Sequence, residues 1–294
     1  MSDYRSYEEK THAAFAGQPI DASDPRVLAW LIRRHGLEMT HLSRGSHIGA
    51  IFSVAEIMAV LYTGVMNVNP ADPAMEGRDR LILSKGHAGA AVYAALAERG
   101  FFPVEEIKTH YANGSRLSGH LSHKGVPGVE FSTGSLGHGL AVGAGMALGA
   151  KMDKAPWRTY AILGDGECDE GSVWEAALQA HQYGLDNLIA VVDHNRMQSL
   201  DFCERTIALE PFADKWAAFG WNVLRADGHS IEALQAAFAQ AKANRGTGKP
   251  TVIIAETTKG KGVSFMENDI LWHYRTPQGE EYEAALKELE AQRP

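Results

Sequence analysis

A short acidic loop, Gly164-Asp165-Gly166, directly follows a run of apolar residues and precedes a helical pattern. Backbone N–H groups at the start of such a helix favour the binding of phosphate groups. A dinucleotide-binding fingerprint would place a third glycine where the chain has Asp169, and the carboxylate of Asp165 would repel a pyrophosphate. Carboxylates fit beside a diphosphate only when a divalent cation lies between them. The loop therefore predicts a site for a diphosphate and a metal ion.

Asn195 lies just beyond the next apolar run in the sequence. This apolar run is typical of a buried parallel strand. Neighbouring parallel strands lie about 5 Å apart, so loops at their carboxyl ends can share one ion. The predicted ligands of Mg2+, for which Ca2+ or Mn2+ could substitute, are Asp165, Asn195 and the main-chain carbonyl of Met197. Asp and Asn also form turns without any metal, but their occurrence at two successive strand ends favours the metal site.

Three of the 13 histidines, His47, His87 and His120, lie in loops rich in glycine and serine. Imidazoles presented in this way can hydrogen-bond hydroxyl groups and relay protons near neutral pH. Zinc binding is the competing interpretation, but the spacing matches neither an HxxxH nor an HExxH pattern. We interpret five other histidines as structural or surface residues: His12, His35, His41, His110 and His194.

Short apolar runs alternate with helical patterns, which predicts an α/β fold: a parallel sheet with helices on both faces. The predicted strands are Arg80–Ser84, Thr159–Leu163, Leu188–Val192, Trp221–Ala226 and Thr251–Glu256. The predicted helices between them include Ala88–Arg99, Ser172–Tyr183 and Ile231–Ala243. We expect residues 1–278 to form one domain with an N-terminal helical lead-in, and residues 279–294 to form a helical tail.

In the helix Ser172–Tyr183, the spacing of Trp174, Ala177, Leu178 and His181 predicts that these side chains share one face of the helix. The glycine-rich loop that follows the last strand carries Lys259 and Lys261, which are equally consistent with phosphate contacts and with solvation.

Composition excludes several classes of protein. The formal net charge is -8 and there is no basic run, so a nucleic-acid surface is not expected. The two cysteines provide no disulfide framework. The first twenty residues are polar, and no apolar run approaches the roughly 20 residues needed to span a bilayer. We therefore expect a cytoplasmic protein with no membrane association.

The spacing from Gly164-Asp165-Gly166 to Asn195 resembles the thiamine-diphosphate motif that many enzymes share. Further segments narrow the resemblance to the transketolase family: Gly45-Ser46-His47-Ile48-Gly49, Asp79 to His87, Ser132 to Gly139, and Asp227-Gly228-His229. It covers about residues 20–278 and corresponds to the N-terminal half of a full-length transketolase. It implies the thiamine-diphosphate-binding fold, here the diphosphate-binding domain, with thiamine diphosphate and Mg2+ as cofactors.

The resemblance also implies roles for individual residues. The catalytic residues that it suggests are His47, His120 and His273. His47 and His120 would hold the sugar hydroxyls near the reactive carbon, and His273 would approach the diphosphate and the substrate. The residues that it places at the cofactor are His87, Gly134, Leu136, Gly164, Asp165, Gly166, Glu170 and Asn195. Glu170 lies at a helix start, so it either couples sites or caps the helix.

The implied activity is that of a transketolase, a transferase that moves a two-carbon ketol unit from a ketose, phosphorylated or otherwise anionic, to an aldose. The glutamate that contacts the aminopyrimidine, and most contacts to the substrate phosphate, belong to the family's second domain. The residues after Gln278 are too few to form it. We therefore expect the partner to be a separate C-terminal, pyrimidine-domain subunit, with two copies of each chain.

Two other functions are compatible with parts of the pattern. The α subunit of a thiamine-diphosphate-dependent 2-oxo acid dehydrogenase also carries the Gly-Asp-Gly to Asn spacing. His47 and His120 argue against it, because a 2-oxo acid offers no sugar hydroxyls to hold. A non-catalytic cofactor-binding module is the second alternative, and the set of loop histidines argues against that as well.

Overall fold

The computed structural model describes residues 20–294. The beginning of the predicted lead-in and His12 lie outside the described residues. Within them the strands are β1 (Arg80–Leu83), β2 (Thr159–Gly164), β3 (Leu188–His194), β4 (Asn222–Asp227) and β5 (Thr251–Glu256). All neighbouring strands pair in parallel, in the order β1-β2-β3-β5-β4. The predicted parallel sheet is confirmed.

The helices connect these strands and cover the sheet. In chain order they are α1 (Pro25–Ser43), α2 (Ile48–Ser53), α3 (Ala55–Val60), α4 (Gly89–Glu98), α5 (Gly139–Met152), α6 (Gly171–Gln182), α7 (Cys203–Thr206), α8 (Phe212–Ala218), α9 (Ile231–Ala243) and α10 (Glu280–Ala291). Short 3-10 turns lie at Gly86–Ala88, Val104–Thr109, Gly166–Asp169 and Ile270–His273, and a π-helical turn at Leu61–Val65. Every helix within residues 20–294 is too short or too polar to cross a lipid bilayer.

Side chains that alternate between the two faces of the buried strands divide the core into two layers. On β2, Tyr160 and Ile162 pack into the layer built by α1 to α4, α9 and α10. Ala161 and Leu163, one residue out of phase, pack into the layer of α5, α6 and α8. Successive side chains of a strand point to opposite faces, so the almost continuous apolar runs reflect burial on both faces.

The buried face of α6 is formed by small side chains. The buried residues of this helix are Val173, Ala176, Ala177 and Ala180. Of the residues predicted to share one face, Ala177 is buried, whereas Leu178 is 57% exposed. Helix α6 packs against α5, another helix rich in glycine and alanine, so the small side chains face inward. The predicted shared face is therefore not the buried face as a whole.

Helix α10 packs on the domain. The indole Nε1 of Trp30 in α1 donates a hydrogen bond to the carbonyl of Leu289 at 2.8 Å. The amide of Gln292 donates to the carbonyl of Gly262, in the glycine-rich loop after β5, at 2.7 Å. The last helix therefore contacts both the first helix and a loop at the carboxyl edge of the sheet. The domain boundary at Gln278 stays a prediction.

Candidate functional site

A cleft of about 240 Å³ lies at the carboxyl edge of the sheet. Loops after β1, β2, β3 and β5 meet here, together with the segments that carry His47, His120 and His273. The structure brings together all but one of the predicted site residues: His47, His87, His120, Gly134, Leu136, Gly164, Asp165, Gly166, Asn195, Met197 and His273. Residues separated by more than 200 positions in the chain thus line one cavity.

The exception is Glu170. It does not line the cleft; it is exposed at the N-cap of α6 and makes no side-chain capping hydrogen bond. Its side chain lies against Gly137, where an added Cβ would come within 2.7 Å of the Glu170 Cβ. The lack of a capping bond gives no support to the capping role, and the proposed role in coupling sites stays a prediction.

Asp165 is buried at the end of β2. Its Oδ1 accepts a hydrogen bond from the N–H of Gly166 at 2.8 Å, and its Oδ2 accepts one from the N–H of Arg196. Burial, reinforced by nearby Asp193, raises the pKa of this carboxyl to about 6. The two backbone bonds fix the carboxylate but do not compensate its charge, and a bound cation would do so.

Asn195 and Met197 complete the group of oxygen donors. The Oδ1 of Asn195 accepts from the N–H of Met197 at 3.1 Å, an Asx turn that brings both residues to the cleft. The turn and the metal site are therefore compatible. A carboxylate, an amide and a carbonyl suit a hard cation such as Mg2+. Within residues 20–294 no three His, Cys, Asp or Glu side chains are grouped for metal binding, which leaves the zinc interpretation without support.

The carboxylate of Asp193 joins four segments around the cleft, and the sequence analysis missed it. It is fully buried, and it accepts hydrogen bonds from the ammonium of Lys85, from Ser53 Oγ at 2.6 Å and from Thr257 Oγ1. The amide of Asn195 donates to Oδ2 at 3.1 Å, the same oxygen that Lys85 contacts, while Ser53 and Thr257 donate to Oδ1. The Lys85 ammonium holds the pKa of Asp193 below its usual range despite burial. This ion pair fixes Asn195, which is a predicted metal ligand.

Glu167, also missed, ties the acidic loop to the loop before α5. Its Oε1 accepts from Ser84 Oγ and from the N–H of Gly137 at 2.8 Å, while Oε2 accepts from the N–H of Gly164 at 3.1 Å. Burial raises the pKa of this carboxyl. The motif spacing could have indicated Glu167, since it follows Gly166 directly, but only the fold shows which loops it holds.

Four imidazoles face one another across the cleft. The ring centroid of His47 lies 5.2 Å from that of His87, 5.4 Å from His120 and 5.0 Å from His273. His47 adopts a left-handed backbone with φ 73° and donates its N–H to the carbonyl of His273 at 2.7 Å. The φ/ψ strain of this non-glycine residue is maintained by the surrounding packing, as is common at functional sites.

Burial lowers the pKa of all four histidines. The pKa falls to about 4 for His47 and to about 3 for His273, where nearby lysines add to the effect of burial. The pKa of His87 is also lowered, by burial and then Lys85, and that of His120 by burial alone. The rings are therefore neutral near pH 7, so each offers one N–H donor and one nitrogen acceptor.

Lys259 lies in the cleft and resolves the ambiguity about the loop lysines. It is 2% exposed, and its ammonium donates to the carbonyl of Gln198 at 2.9 Å and to Nδ1 of His273 at 2.8 Å. Burial and then the charge of Lys85 lower its pKa to about 8. Lys261 instead pairs with Glu267 at 3.3 Å on the surface. Lys259 therefore faces the predicted phosphate region and Lys261 does not.

Three histidines interpreted as structural have partners away from the cleft. His35 contacts Glu98 at 2.5 Å, and His194 contacts Glu256 at 3.0 Å. The ring of His41 stacks on Tyr282 of α10 with centroids 3.8 Å apart. These contacts agree with a structural role.

Comparison with known proteins gives the same family throughout. Residues 26–290 match the model of the transketolase thiamine diphosphate binding domain. The chain is 44% identical to one subunit of the apulose-4-phosphate transketolase of Phocaeicola vulgatus, over 87% of this chain and 90% of that protein. It is also 44% identical to the 6-deoxy-6-sulfo-D-fructose transketolase subunit SqwG of a Clostridium species, over 88% of this chain and 94% of that protein.

Solved transketolases share the fold. The enzyme of Campylobacter jejuni superposes with a TM-score of 0.83 at 30% identity, over 93% of this chain and 43% of that one. A Pichia stipitis transketolase in complex with sedoheptulose-7-phosphate gives a TM-score of 0.84 at 29% identity, over 91% of this chain and 41% of that one. The chain thus spans less than half the length of these enzymes. It belongs to the transketolase family and corresponds to the thiamine-diphosphate-binding domain of that family.

Proposed function

We propose that this chain holds the diphosphate and metal end of thiamine diphosphate in an enzyme that transfers a two-carbon ketol unit from a ketose to an aldose. The ketose is phosphorylated or otherwise anionic. One observation carries the proposal: oxygen donors suited to a cation and buried lysines suited to an anion line the same cleft. Sugar-transferring relatives of nearly the same length, such as the apulose-4-phosphate transketolase polypeptide of Phocaeicola vulgatus, support it.

The residues of the cleft divide into two groups by what they would hold. Asp165, Asn195 and the carbonyl of Met197 would hold Mg2+, with Ca2+ or Mn2+ as substitutes. Lys259 and His87 would donate to the diphosphate, and the loop of Gly134 and Leu136 would lie along the cofactor. When bound, thiamine diphosphate supplies a thiazolium carbon that acts as nucleophile and electron sink.

His47, His120 and His273 would act on the sugar. Because burial keeps their rings neutral, they can donate to one hydroxyl and accept a proton from another without a large charge penalty. Their positions around one point, with His47 about 5 Å from each of the other two, suit a short polyol held on several sides. A 2-oxo acid would leave several of these groups without partners, which disfavours the dehydrogenase alternative.

The second half of the site would come from a separate C-terminal, pyrimidine-domain subunit, with two copies of each chain in the assembly. Two relatives that match nearly the whole chain, from Phocaeicola vulgatus and Actinobacillus succinogenes, are each one subunit of an apulose-4-phosphate transketolase, which supports a partner for this chain as well. The cleft is partly open to solvent in this chain, and its chemistry requires that water be excluded. We further propose a cytoplasmic location, with which the two free, buried cysteines agree.

Reconstitution tests this proposal. The purified chain is mixed with candidate C-terminal transketolase subunits, thiamine diphosphate and Mg2+, and two-carbon transfer between sugar phosphates is followed by mass spectrometry. We expect no transfer by the chain alone and transfer in the mixture. A mixture that contains the Asp165→Asn chain should be inactive and controls for activity of the partner. Robust transfer by the chain alone, free of any second polypeptide, would overturn the proposed partner.

A further inference from the structure

The segment Asp227-Gly228-His229 forms a tight turn at the carboxyl end of β4, next to the loop that follows β5. The Oδ1 of Asp227 accepts a hydrogen bond from the N–H of His229 at 2.9 Å, and the N–H of Gly228 donates to the carbonyl of Glu256 at 2.8 Å. A Cβ added at Gly228 would lie 2.3 Å from Cγ2 of Thr257, so only glycine allows this close approach. The turn therefore places the ring of His229 against the loop after β5.

Both ring nitrogens of His229 make hydrogen bonds. Its Nε2 accepts from the backbone N–H of Thr258 at 2.8 Å, and its Nδ1 lies 2.9 Å from Oε2 of Glu56 in α3. A backbone N–H can only donate, so Nε2 carries no proton in this arrangement. The ring proton therefore lies on Nδ1, which donates it to Glu56. The two contacts together select one neutral tautomer of His229.

Arg33 of α1 keeps Glu56 in its charged form. Its Nη1 and Nη2 donate to the two oxygens of the carboxylate at 2.6 Å and 2.7 Å, and both side chains are buried. Burial by itself would raise the pKa of Glu56, but the charge of Arg33 and the hydrogen bond with His229 lower it to about 2. An ionised carboxylate can only accept hydrogen bonds, which keeps the proton of His229 on Nδ1. The ion pair thus fixes the orientation and the tautomer of the ring.

The residue that His229 holds, Thr258, directly precedes Lys259 of the cleft. On the other side of this lysine, the N–H of Gly260 donates to the carbonyl of Gly49 at 3.0 Å. The backbone is therefore held on both sides of Lys259 by other segments, while its side chain is buried in the cleft. His229 itself lies outside the lining of the cleft, so it can influence the site only through this loop.

We propose that His229 is a positioning residue, which holds the N–H of Thr258 so that the ammonium of Lys259 points toward the diphosphate of the cofactor. Arg33 and Glu56 support it by fixing the tautomer of the ring. The inference rests on the proposed function, in which Lys259 donates to the diphosphate. It also gives a role to Asp227-Gly228-His229, which the resemblance to the family marks as a landmark without explaining it.

Two substitutions that each preserve one contact of the ring test the proposal. His229→Gln keeps an acceptor near the position of Nε2, and His229→Asn keeps a donor near the position of Nδ1. In titration calorimetry of the full chain with saturating Mg2+, His229→Asn should lower the affinity for thiamine diphosphate about tenfold, whereas His229→Gln should stay within about twofold of the wild type. In a Lys259→Gln chain, His229→Asn should have no further effect, because the contact it acts through is already lost. The matched control is His181→Asn, on the exposed face of α6.

Equal losses in His229→Gln and His229→Asn, or the same loss with and without Lys259, would mean that the ring only stabilises the fold and would overturn the proposal. Nuclear magnetic resonance of the 15N-labelled wild-type chain provides a test without any variant. We expect a proton on Nδ1 of His229 and a coupling across the hydrogen bond between Nε2 and the amide nitrogen of Thr258, and a proton on Nε2 would refute the contact. If the wild-type chain binds no thiamine diphosphate, the proposed function fails. If it binds and the two His229 variants bind equally, only the positioning role fails.

Discussion

The two walls of the cleft carry opposite charges and respond to burial in opposite directions. On the acidic wall, burial raises the pKa of Asp165 to about 6. On the basic wall, burial lowers the pKa of Lys259 to about 8 and that of His273 to about 3. Both walls are therefore pushed toward their neutral forms. The comparison indicates that burial outweighs the nearby opposite charges on both walls, and a diphosphate with its metal ion would supply a closer counter-charge to each.

The largest expected effect comes from the acidic wall. Asp165→Asn keeps the volume of the side chain but removes its charge, so Mg2+-dependent affinity for thiamine diphosphate should fall by about 100-fold or more. Asn195→Ala should act in the same direction and less strongly, because an amide neutralises less charge. Titration calorimetry at fixed Mg2+ measures both. The control Glu175→Gln removes an exposed carboxylate of α6, and unchanged affinity in Asp165→Asn would refute the metal site.

The basic wall offers a sharper internal control. Lys259→Gln should lower the affinity for thiamine diphosphate by about tenfold or more, since a buried ammonium that faces the diphosphate is lost. Lys261→Gln makes the same change two residues away, where the side chain pairs with Glu267 on the surface. We expect calorimetry to show no effect of Lys261→Gln. Equal effects of the two substitutions would mean that only the net charge of the loop matters.

The imidazoles should affect turnover rather than cofactor affinity. In the reconstituted complex, His120→Ala and His47→Asn should each lower the rate of two-carbon transfer about tenfold to 100-fold, as expected for buried donors that lose hydroxyl partners. Asparagine is chosen at position 47 because it tolerates the φ of 73°. The exposed His123→Ala serves as control. Wild-type rates in both cleft variants would make these histidines structural.

The smallest effect concerns the dependence of stability on pH. The pKa of His110 is about 4 in the folded chain against an ordinary value of 6.5, so the unfolded chain binds more protons between these values. The free energy of unfolding contributed by this group is therefore present above pH 6.5 and is lost as the pH falls toward 4. Between pH 4 and 6.5, His110→Phe should reduce the slope of the free energy of unfolding against pH by roughly 1 kcal/mol per pH unit. Urea denaturation at several pH values measures it, and identical slopes would contradict the assignment.

The sequence allowed the elements and the glycine loops to be predicted because their signals are local. The bounds of β5 and α9 agree with the prediction at Thr251–Glu256 and Ile231–Ala243. The shared face predicted for α6 did not indicate which side is buried, because α5 packs against the alanines of α6 while Leu178 stays exposed. Periodicity carries no information about which neighbour will cover a helix.

Polar contacts between residues far apart in the chain were also beyond prediction from the sequence. Lys85 and Asp193 are separated by 108 positions, and nothing near either residue indicates their ion pair. His110 was interpreted as structural, and its burial agrees with that role. The sequence could thus identify which residues do chemistry more readily than which residues hold them in place.

The contacts of Asp193 also have a consequence for how the site forms during folding. One carboxylate joins α2, the loop after β1, the loop after β5 and Asn195, so the final position of each segment depends on the same buried group. Removing one partner of a buried ion pair costs about 3–5 kcal/mol. Substitutions at Asp193 should therefore lower the yield of folded protein long before any rate can be measured. In a mutational screen, substitutions at Asp193 would therefore be lost both when variants are selected for solubility and when they are selected for activity.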